Sequence, residues 1–252
     1  MVIPARFAAS RLPGKPLLPI GGRPLIQWVW ERAQGSGAAT VIVATDDERI
    51  RAAALRFGAD CAMTSPDHAS GTDRIAEVVR ARGLADGEIV VNVQGDEPLI
   101  DAGLIAQLAS SLAERPTRDL ATAVAPIGSH AEFLDPNCVK AVRSLDGRAL
   151  YFSRAPVPWP RDAAPLGRPA RWQGAWRHIG IYAYRVGTLV TLAALPPSPL
   201  EQAERLEQLR ALEHGMTIHL LELAHAPPGG VDTPADLERI RALLDWEQAP
   251  RR

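Results

Sequence analysis

The first fifteen residues contain a loop that could hold a polyphosphate. A β-branched run at 2–3 passes directly into this loop, which carries three cations within ten positions, Arg6, Arg11 and Lys15. Gly14 permits close backbone approach, and the neighbouring prolines stiffen the turn. Free backbone N–H groups beside fixed positive charge suit a polyphosphate. A basic loop can also be merely solvated, but this one follows the first strand of an α/β pattern, where ligands bind.

Two aspartates could hold a magnesium ion beside such a ligand. Asp96 follows an apolar run where the central strand of a doubly wound sheet would meet its ligand crevice, although an aspartate before Glu-Pro can simply form a turn. Asp232 also ends a β-like run, but a helix cap beside it explains it equally well. Mg²⁺ on a triphosphate usually takes one or two protein carboxylates. Because both aspartates end β-like runs, they can converge, and we expect Mg²⁺ bound by Asp96 and Asp232.

A predicted helix N-terminus is a further candidate for nucleotide binding. The segment Ser70-Gly71-Thr72-Asp73-Arg74 begins this helix with hydroxyl residues and a glycine. Capping alone accounts for the hydroxyls. A helix N-terminus also favours phosphate oxygens and base carbonyls, and Arg74 adds a fixed fork of donors.

A polar set in the second half of the chain suits an acidic, hydroxyl-rich ligand. It consists of Arg154, Arg161, His178, Tyr182, Glu207 and Gln208. Two arginines in a Pro- and Trp-rich region fit an acidic substrate better than a core. The histidine and tyrosine are four apart and would share a face of a strand, although a lone histidine is more often structural. Glu207 and Gln208 could form hydrogen bonds with sugar hydroxyls, or they could be ordinary solvated helix positions.

The order of elements predicts an α/β fold. Apolar β-rich runs alternate with helical patterns through the first half, which indicates a mostly parallel sheet flanked by helices. Strand-like pieces between 139 and 184 predict a smaller inserted antiparallel layer. A helix is predicted over Arg205–His214. Thr233, Pro234 and Asp236 together have the pattern of a helix start.

Composition narrows the class of protein. The 252 residues suit one large domain or one with a sizeable insertion, and a net charge of −1 gives no bulk attraction to nucleic acid or membrane. Cys61 and Cys138 follow no metal spacing and indicate thiols in a reducing compartment. No apolar run nears the roughly 18 residues of a membrane span, and no signal peptide precedes the first strand. We therefore expect a cytoplasmic protein that binds neither nucleic acid nor membrane. The absence of GxGxxG after the first strand, of a P-loop and of a nucleophile elbow counts against other enzyme classes.

Long motifs extend over nearly the whole chain. They are IPAR and RLPGKPL within 3–17, VATDD at 43–47, DHxSGTDR at 67–74, VNVQGDEPLI at 91–100, ALYFSRAPVPW at 149–159, RHIGIYAYR at 177–185, SPLEQAERLEQLRAL at 198–212 and VDTPADLERIRAL at 231–243. On these motifs the chain resembles the 3-deoxy-manno-octulosonate (KDO) cytidylyltransferases of the sugar nucleotidyltransferase superfamily.

The resemblance implies an architecture and an activity. The fold would be a Rossmann-like sheet within a single domain over 1–252, with a nucleotide-binding core at about 1–130 plus 215–252. A sugar-binding and dimerising insertion would occupy about 131–214. The protein would join CTP to KDO, releasing pyrophosphate and CMP-KDO for lipopolysaccharide assembly, with Mg²⁺ as cofactor and a homodimer as its assembly.

The resemblance also implies roles for individual residues. The catalytic group would be Lys15, Arg11, Asp96 and Asp232, with the two aspartates holding the metal. The nucleotide would contact Ala5, Arg6, Arg11, Lys15, Ala44, Thr45, Ser70, Gly71, Thr72, Arg74, Gln94 and Gly95. The sugar would contact Gln94, Arg154, Arg161, His178, Tyr182, Glu207 and Gln208.

Two alternatives stay open. The acceptor could be another acidic sugar, such as sialic acid or 8-amino-KDO, with discrimination in the layer from Arg154 to Tyr182. The protein could instead bind a nucleotide sugar without catalysis. The joint presence of Lys15, Asp96 and Asp232 counts against that second alternative.

Overall fold

The computed structural model describes residues 1–8, 12–160 and 175–248, with side chains up to 244. Two compact units are present, Met1–Gln107 with Pro227–Arg252, and Leu108–Ala226. The strands are β1 (Val2–Ala5), β2 (Pro19–Ile20), β3 (Arg23–Pro24), β4 (Ile42–Thr45), β5 (Asp60–Met63), β6 (Ile89–Asn92), β7 (Leu120–Pro126), β8 (Lys140–Arg143), β9 (Ala149–Ser153), β10 (Trp176–Arg185) and β11 (Ile218–Glu222). The helices are α1 (Leu25–Gln34), α2 (Glu48–Arg56), α3 (Gly71–Ala81), α4 (Ala102–Ala113), α5 (His130–Leu134), α6 (Val186–Ala194), α7 (Pro199–Glu204), α8 (Gln208–Glu213) and α9 (Pro234–Gln248).

The first unit is built on a parallel sheet in the order β6-β1-β4-β5. Strand β4 is buried at all four positions, as expected of a strand covered on both faces. Helices α2 and α3 pack on this sheet, and a short hairpin, β2-β3, precedes α1. The parallel order places the loops after β1 and β6 at one edge, where ligands bind in such sheets.

Local capping signals fix where two of the helices in this unit begin. At α3, the Asp73 backbone N–H donates to Ser70 Oγ at 3.2 Å, and the Ser70 backbone N–H donates to Asp73 Oδ2 at 3.1 Å. At α9, Thr233 and Asp236 form the same reciprocal pair, at 3.2 and 2.9 Å. Each arrangement satisfies backbone donors that the first turn leaves unpaired and contributes about 1 kcal/mol.

The second unit has a mixed sheet in the order β11-β7-β10-β8-β9. Among the pairings of these described strands, that of β11 with β7 is parallel and the others are antiparallel. Strand β10 pairs with β7 through an irregular register between Ile179 and Tyr182. A parallel sheet in one unit and mainly antiparallel strands in the other confirm the predicted α/β class.

The structure corrects several details of the sequence prediction. The helix predicted over Arg205–His214 begins only at Gln208, because Arg205 adopts a left-handed conformation (φ 55°) that ends α7 and turns the chain. Helices α5, α6 and α7 were not predicted, although Ser129 with Glu132 and Ser198 with Glu201 have the spacing of a helix start. The two units divide the chain after 107 and after 226, and β7, which pairs with β11 on one side and with β10 on the other, lies in the second unit.

In the described part of the chain, no helix combines the length and the apolar character needed to cross a membrane.

Candidate active site

A cavity of about 290 Å³ opens in the first unit at the carboxyl ends of β1 and β6. The loop after β1, the start of α3, the turn after β6 and the residue before the α9 cap surround it. Its lining residues are Pro4, Ala5, Arg6, Leu12, Lys15, Pro16, His68, Ala69, Ser70, Gly71, Arg74, Gln94, Gly95, Asp96 and Asp232. Segments far apart in the chain thus converge at the edge of the sheet where the sequence predicts nucleotide binding.

At one side of the cavity a lysine lies between two carboxylates. Lys15 Nζ donates to Asp96 Oδ2 at 2.5 Å and to Asp232 Oδ1 at 3.1 Å. Burial alone would lower the pKa of Lys15, but the two carboxylates outweigh this effect and raise the pKa above its usual value. The lysine is therefore charged, and both aspartates face the same point.

The chain segment before Asp232 is held against the turn after β6. The Val231 backbone N–H donates to the Asp96 carbonyl at 2.9 Å. A Cβ on Gly230 would lie 2.7 Å from that same carbonyl oxygen and 2.9 Å from Glu97 Oε1, so only glycine fits here. This close approach brings the second aspartate beside the first.

A third carboxyl group, that of Glu97, directly follows Asp96, and the sequence analysis did not single it out. Burial, together with the neighbouring charges of Asp96 and Asp232, raises the pKa of Glu97 to about 8, although a hydrogen bond from the Gly230 backbone and the charge of Lys15 oppose the shift. Its position beside Asp96 was the feature of the sequence that could have indicated a role at this site. Glu97 is therefore mostly protonated at pH 7, and the negative charge that Lys15 compensates is that of Asp96 and Asp232.

The carboxylate pair fits a magnesium ion chemically. Asp96 and Asp232 converge on one cationic centre, the ammonium of Lys15, which shows that the fold brings their oxygens to a common cation. Carboxylate oxygens are the hard ligands that Mg²⁺ prefers, and one or two of them are usual beside a bound nucleotide.

Most residues predicted to contact the nucleotide line this cavity. Those that do are Ala5, Arg6, Lys15, Ser70, Gly71, Arg74, Gln94 and Gly95. Ala44, Thr45 and Thr72 are buried and lie outside the set of described residues that lines it. Arg11 falls outside the described residues.

Two of the lining residues have clear structural partners as well. Arg74 is 3% exposed, and its guanidinium donates to Thr64 Oγ1 and, at 2.7 Å, to Asp46 Oδ2. It therefore ties the start of α3 to the segments that follow β4 and β5. His68, which the sequence analysis did not assign, has Nε2 in a short hydrogen bond with Glu77, and Glu77 also accepts from the Ser65 backbone at 3.0 Å.

In the second unit the structure brings His178 and Tyr182 together. Residues four apart on a regular strand lie about 13 Å apart, yet these two ring centroids are 5.5 Å apart. The irregular register of β10 accounts for the approach. Thr122 stabilises it, because its hydroxyl donates towards the carbonyls of Ile179 and Ile181, at 3.0 and 2.8 Å.

The same threonine determines which ring nitrogen of His178 carries the hydrogen. Thr122 Oγ1 lies 3.0 Å from His178 Nε2. Since its hydrogen is directed to backbone carbonyls, the oxygen accepts the Nε2 hydrogen, and Nδ1 is then the acceptor nitrogen. Burial lowers the pKa of His178 to about 4, so the ring is neutral at pH 7.

Three further residues of the predicted sugar set, Arg154, Glu207 and Gln208, lie in this unit, whereas Gln94 lines the cavity of the first. Gln208, the first residue of α8, is 6% exposed, and its buried Nε2 has no hydrogen-bond partner among the described residues. Glu207 precedes it and is half-buried, so neither is the freely solvated helix position that the sequence left open. Arg154 follows β9 and is half-buried, whereas Arg161 falls outside the described residues.

Comparisons with known proteins define the class. A family model described as cytidylyltransferase matches residues 1–218. A solved cytidylyltransferase from Leptospira borgpetersenii is 17% identical, covers 97% of this chain and 85% of its own, and has a TM-score of 0.62, which shows a shared fold. The fold and the family model together place the chain among the cytidylyltransferases.

Closer relatives define the family more narrowly. The 3-deoxy-manno-octulosonate cytidylyltransferase of Nitrosococcus oceani is 52% identical over 97% of this chain and 95% of its own length. The protein of that name from Pseudomonas fluorescens is 53% identical over 97% of both. A solved CMP:2-keto-3-deoxy-manno-octonic acid synthetase complexed with CTP is 48% identical, covers 98% of both chains and has a TM-score of 0.89. The chain therefore belongs to the 3-deoxy-manno-octulosonate cytidylyltransferases, and the resemblance found in the sequence is confirmed.

Proposed function

We propose that the protein transfers the cytidylyl group of CTP to KDO, releasing pyrophosphate. The anomeric hydroxyl oxygen of the sugar forms a bond to the α-phosphorus of CTP, the bond from that phosphorus to the bridging oxygen breaks, and the hydroxyl proton leaves. The observation that carries the proposal is the convergence of Lys15, Asp96 and Asp232 in the cavity. The names of relatives at 52–53% identity support the choice of CTP and KDO.

Charge neutralisation and positioning dominate such a reaction, because the nucleophile is weak and the phosphate is negative. In the proposed complex, Lys15 and Arg6, with Arg11, hold the β- and γ-phosphates and stabilise the charge that develops on pyrophosphate. Asp96 and Asp232 would hold Mg²⁺, which when bound would supply charge neutralisation near the α-phosphate. Lys15 must then shift from the two carboxylates to the phosphates.

The base and ribose would lie against the start of α3. Ser70, Gly71 and Arg74 line the cavity at this point. Behind this lining, the buried residues Thr72, Ala44 and Thr45 would support it. Contacts to the nucleotide from the end of β6 would come from Gln94 and Gly95. The backbone groups that this helix start presents would contact the cytosine and give specificity for it.

The acceptor sugar would be held by the polar set of the second unit. Arg154 and Arg161 would pair with its carboxylate. Neutral His178, with Nδ1 as acceptor, and Tyr182 would bond hydroxyls, together with Gln94 and Glu207. The buried Nε2 of Gln208 is a donor that a sugar oxygen would satisfy.

The setting of the reaction follows from the same proposal. We propose a cytoplasmic homodimer that supplies CMP-KDO for lipopolysaccharide assembly and binds neither nucleic acid nor membrane. A net charge of −1 agrees with small-molecule substrates.

The test is pyrophosphate release from purified protein with CTP, Mg²⁺ and KDO, with sialic acid and 8-amino-KDO in parallel. Release with KDO alone, abolished by EDTA, is the expected result. Release only with another acidic sugar would keep the chemistry and change the acceptor. Binding of CTP without release for any sugar would overturn the proposal and favour a non-catalytic binding protein.

A further inference from the structure

We propose that Glu204 is a positioning residue that holds Arg154 in the orientation in which it receives the carboxylate of the acceptor sugar. This inference rests on the function proposed above. Glu204 is the last residue of α7, and Arg154 follows β9, so one residue pair connects two elements of the second unit.

Glu204 holds both the backbone and the side chain of the arginine. Its Oε2 accepts from the Arg154 backbone N–H at 2.8 Å, and its Oε1 accepts from Ser153 Oγ at 2.6 Å. Its backbone carbonyl accepts from Arg154 Nε at 2.7 Å. That carbonyl lies at the end of a helix, where backbone oxygens lack intrahelical donors and carry partial negative charge. The left-handed Arg205 ends the helix at this residue and so leaves the oxygen available to the guanidinium.

A second anchor fixes the other end of the guanidinium. Arg154 Nη1 donates to the Pro136 carbonyl at 2.9 Å. The loop that carries this carbonyl is held by Lys140, which is fully buried and donates to the carbonyls of Asp135 and Cys138 at 2.8 and 2.6 Å. A buried ammonium is costly unless it is well hydrogen-bonded. Here the ammonium holds the carbonyls on either side of Pro136.

The two anchors leave the guanidinium with a defined plane. Two of its five N–H donors are directed to carbonyls, and the edge formed by Nη1 and Nη2 is the one that a carboxylate would meet in a two-point contact. Arginine has a rotamer-rich side chain, and holding it before the ligand binds removes an ordering cost from the binding step. Glu204 therefore affects affinity for an acidic acceptor through Arg154, without touching the acceptor itself.

The experiment compares the wild-type protein with Glu204→Gln, Arg154→Ala and the double variant. Each is assayed for pyrophosphate release with CTP, Mg²⁺ and KDO. Glutamine keeps one acceptor oxygen but places an NH₂ group against one of the two donors. We expect about a tenfold rise in the KM for KDO with kcat and the Kd for CTP within about twofold of wild type. On the Arg154→Ala background, Glu204→Gln should add no further rise, since the two act through one contact.

A matched control lies in the same helix. Glu201 pairs with Arg210 at 2.6 Å, with both side chains largely buried, so Glu201→Gln disturbs α7 without touching Arg154. Glu201→Gln should lower the melting temperature and leave the KM for KDO within about twofold of the wild-type value. The inference is overturned if Glu204→Gln leaves the KM for KDO unchanged, raises it equally on the Arg154→Ala background, or affects the Kd for CTP and kcat as strongly as KM. A wild-type protein that releases no pyrophosphate with KDO would overturn the proposed function itself, before any variant is compared.

Discussion

Lys15 Nζ lies 2.5 Å from Asp96 Oδ2, although the two residues are 81 positions apart in the chain. The lysine follows β1 and the aspartate follows β6, and these neighbouring parallel strands carry both side chains to the same edge of the sheet. The ammonium thus occupies the point on which the two carboxylates converge. If these carboxylates hold Mg²⁺ in the proposed reaction, the metal would replace the ammonium there, and Lys15 would be exchanged for it.

Asp96→Asn should keep the fold and lose roughly a hundredfold to a thousandfold in kcat, by analogy with the loss of one transition-state donor. The amide retains the size of the carboxylate but lacks its charge, so it binds Mg²⁺ poorly. Pyrophosphate release and circular dichroism measured on the same preparation test this. A rate near that of wild type would show that Asp96 has no catalytic role.

Lys15→Met should make the melting temperature of the nucleotide-free protein depend on Mg²⁺. Without the ammonium, Asp96 and Asp232 repel each other, and a divalent cation that binds the folded state raises its stability by mass action. Thermal melts with 0 and 10 mM Mg²⁺ (roughly the range in which a weak site would fill) provide the measurement. Lys15→Met combined with Asp96→Asn is the control, and it should lose the response. Equal responses of wild type and Lys15→Met would refute the exchange of cations.

Gly230→Ala should impair catalysis more than stability. The added Cβ would lie 2.7 Å from the Asp96 carbonyl oxygen, so the segment that carries Asp232 must move away. Misplacement of a catalytic group by about 1 Å can cost about a hundredfold in rate. Gly229→Ala is the matched control, because its nearest contact would be the end of the flexible Arg239 side chain at 3.9 Å. Similar kcat values for the two variants would show that the close approach is not required.

His219 should lower the stability of the protein as the pH falls from 7 to 5, an effect that the raised pKa of Glu97 opposes. Burial, with Arg115 and Arg118 nearby, lowers the pKa of this histidine to about 4 from an ordinary value near 6.5. Between these values the unfolded chain binds the proton and the folded protein does not, so stability is present above pH 6.5 and is lost as the pH falls. The slope for one such group approaches about 1.4 kcal/mol per pH unit. Urea unfolding at pH 7, 6 and 5 should give a less positive slope of stability against pH for His219→Gln than for wild type, and identical slopes would contradict the prediction.

Much of the fold could be predicted because its signals are local. The caps of α3 and α9 form as their sequences indicate. Short helices such as α7, of six residues, depend on tertiary packing more than on their own propensity, although the capping box of Ser198 and Glu201 was a local signal for this one. The break at Arg205 lacks a sequence signal, since a non-glycine residue rarely adopts positive φ.

The sequence by itself determined the element order, the family and the kinds of residue that could do the chemistry, because these depend on composition, spacing and motifs along the chain. Only the tertiary structure decided which of them meet. The contacts of Lys15 with Asp96 and Asp232, the raised pKa of Glu97 and the approach of His178 to Tyr182 all depend on strands and loops distant in sequence. Interaction energies between side chains act over a few ångströms, and that distance is set by strand register and close packing rather than by position in the chain.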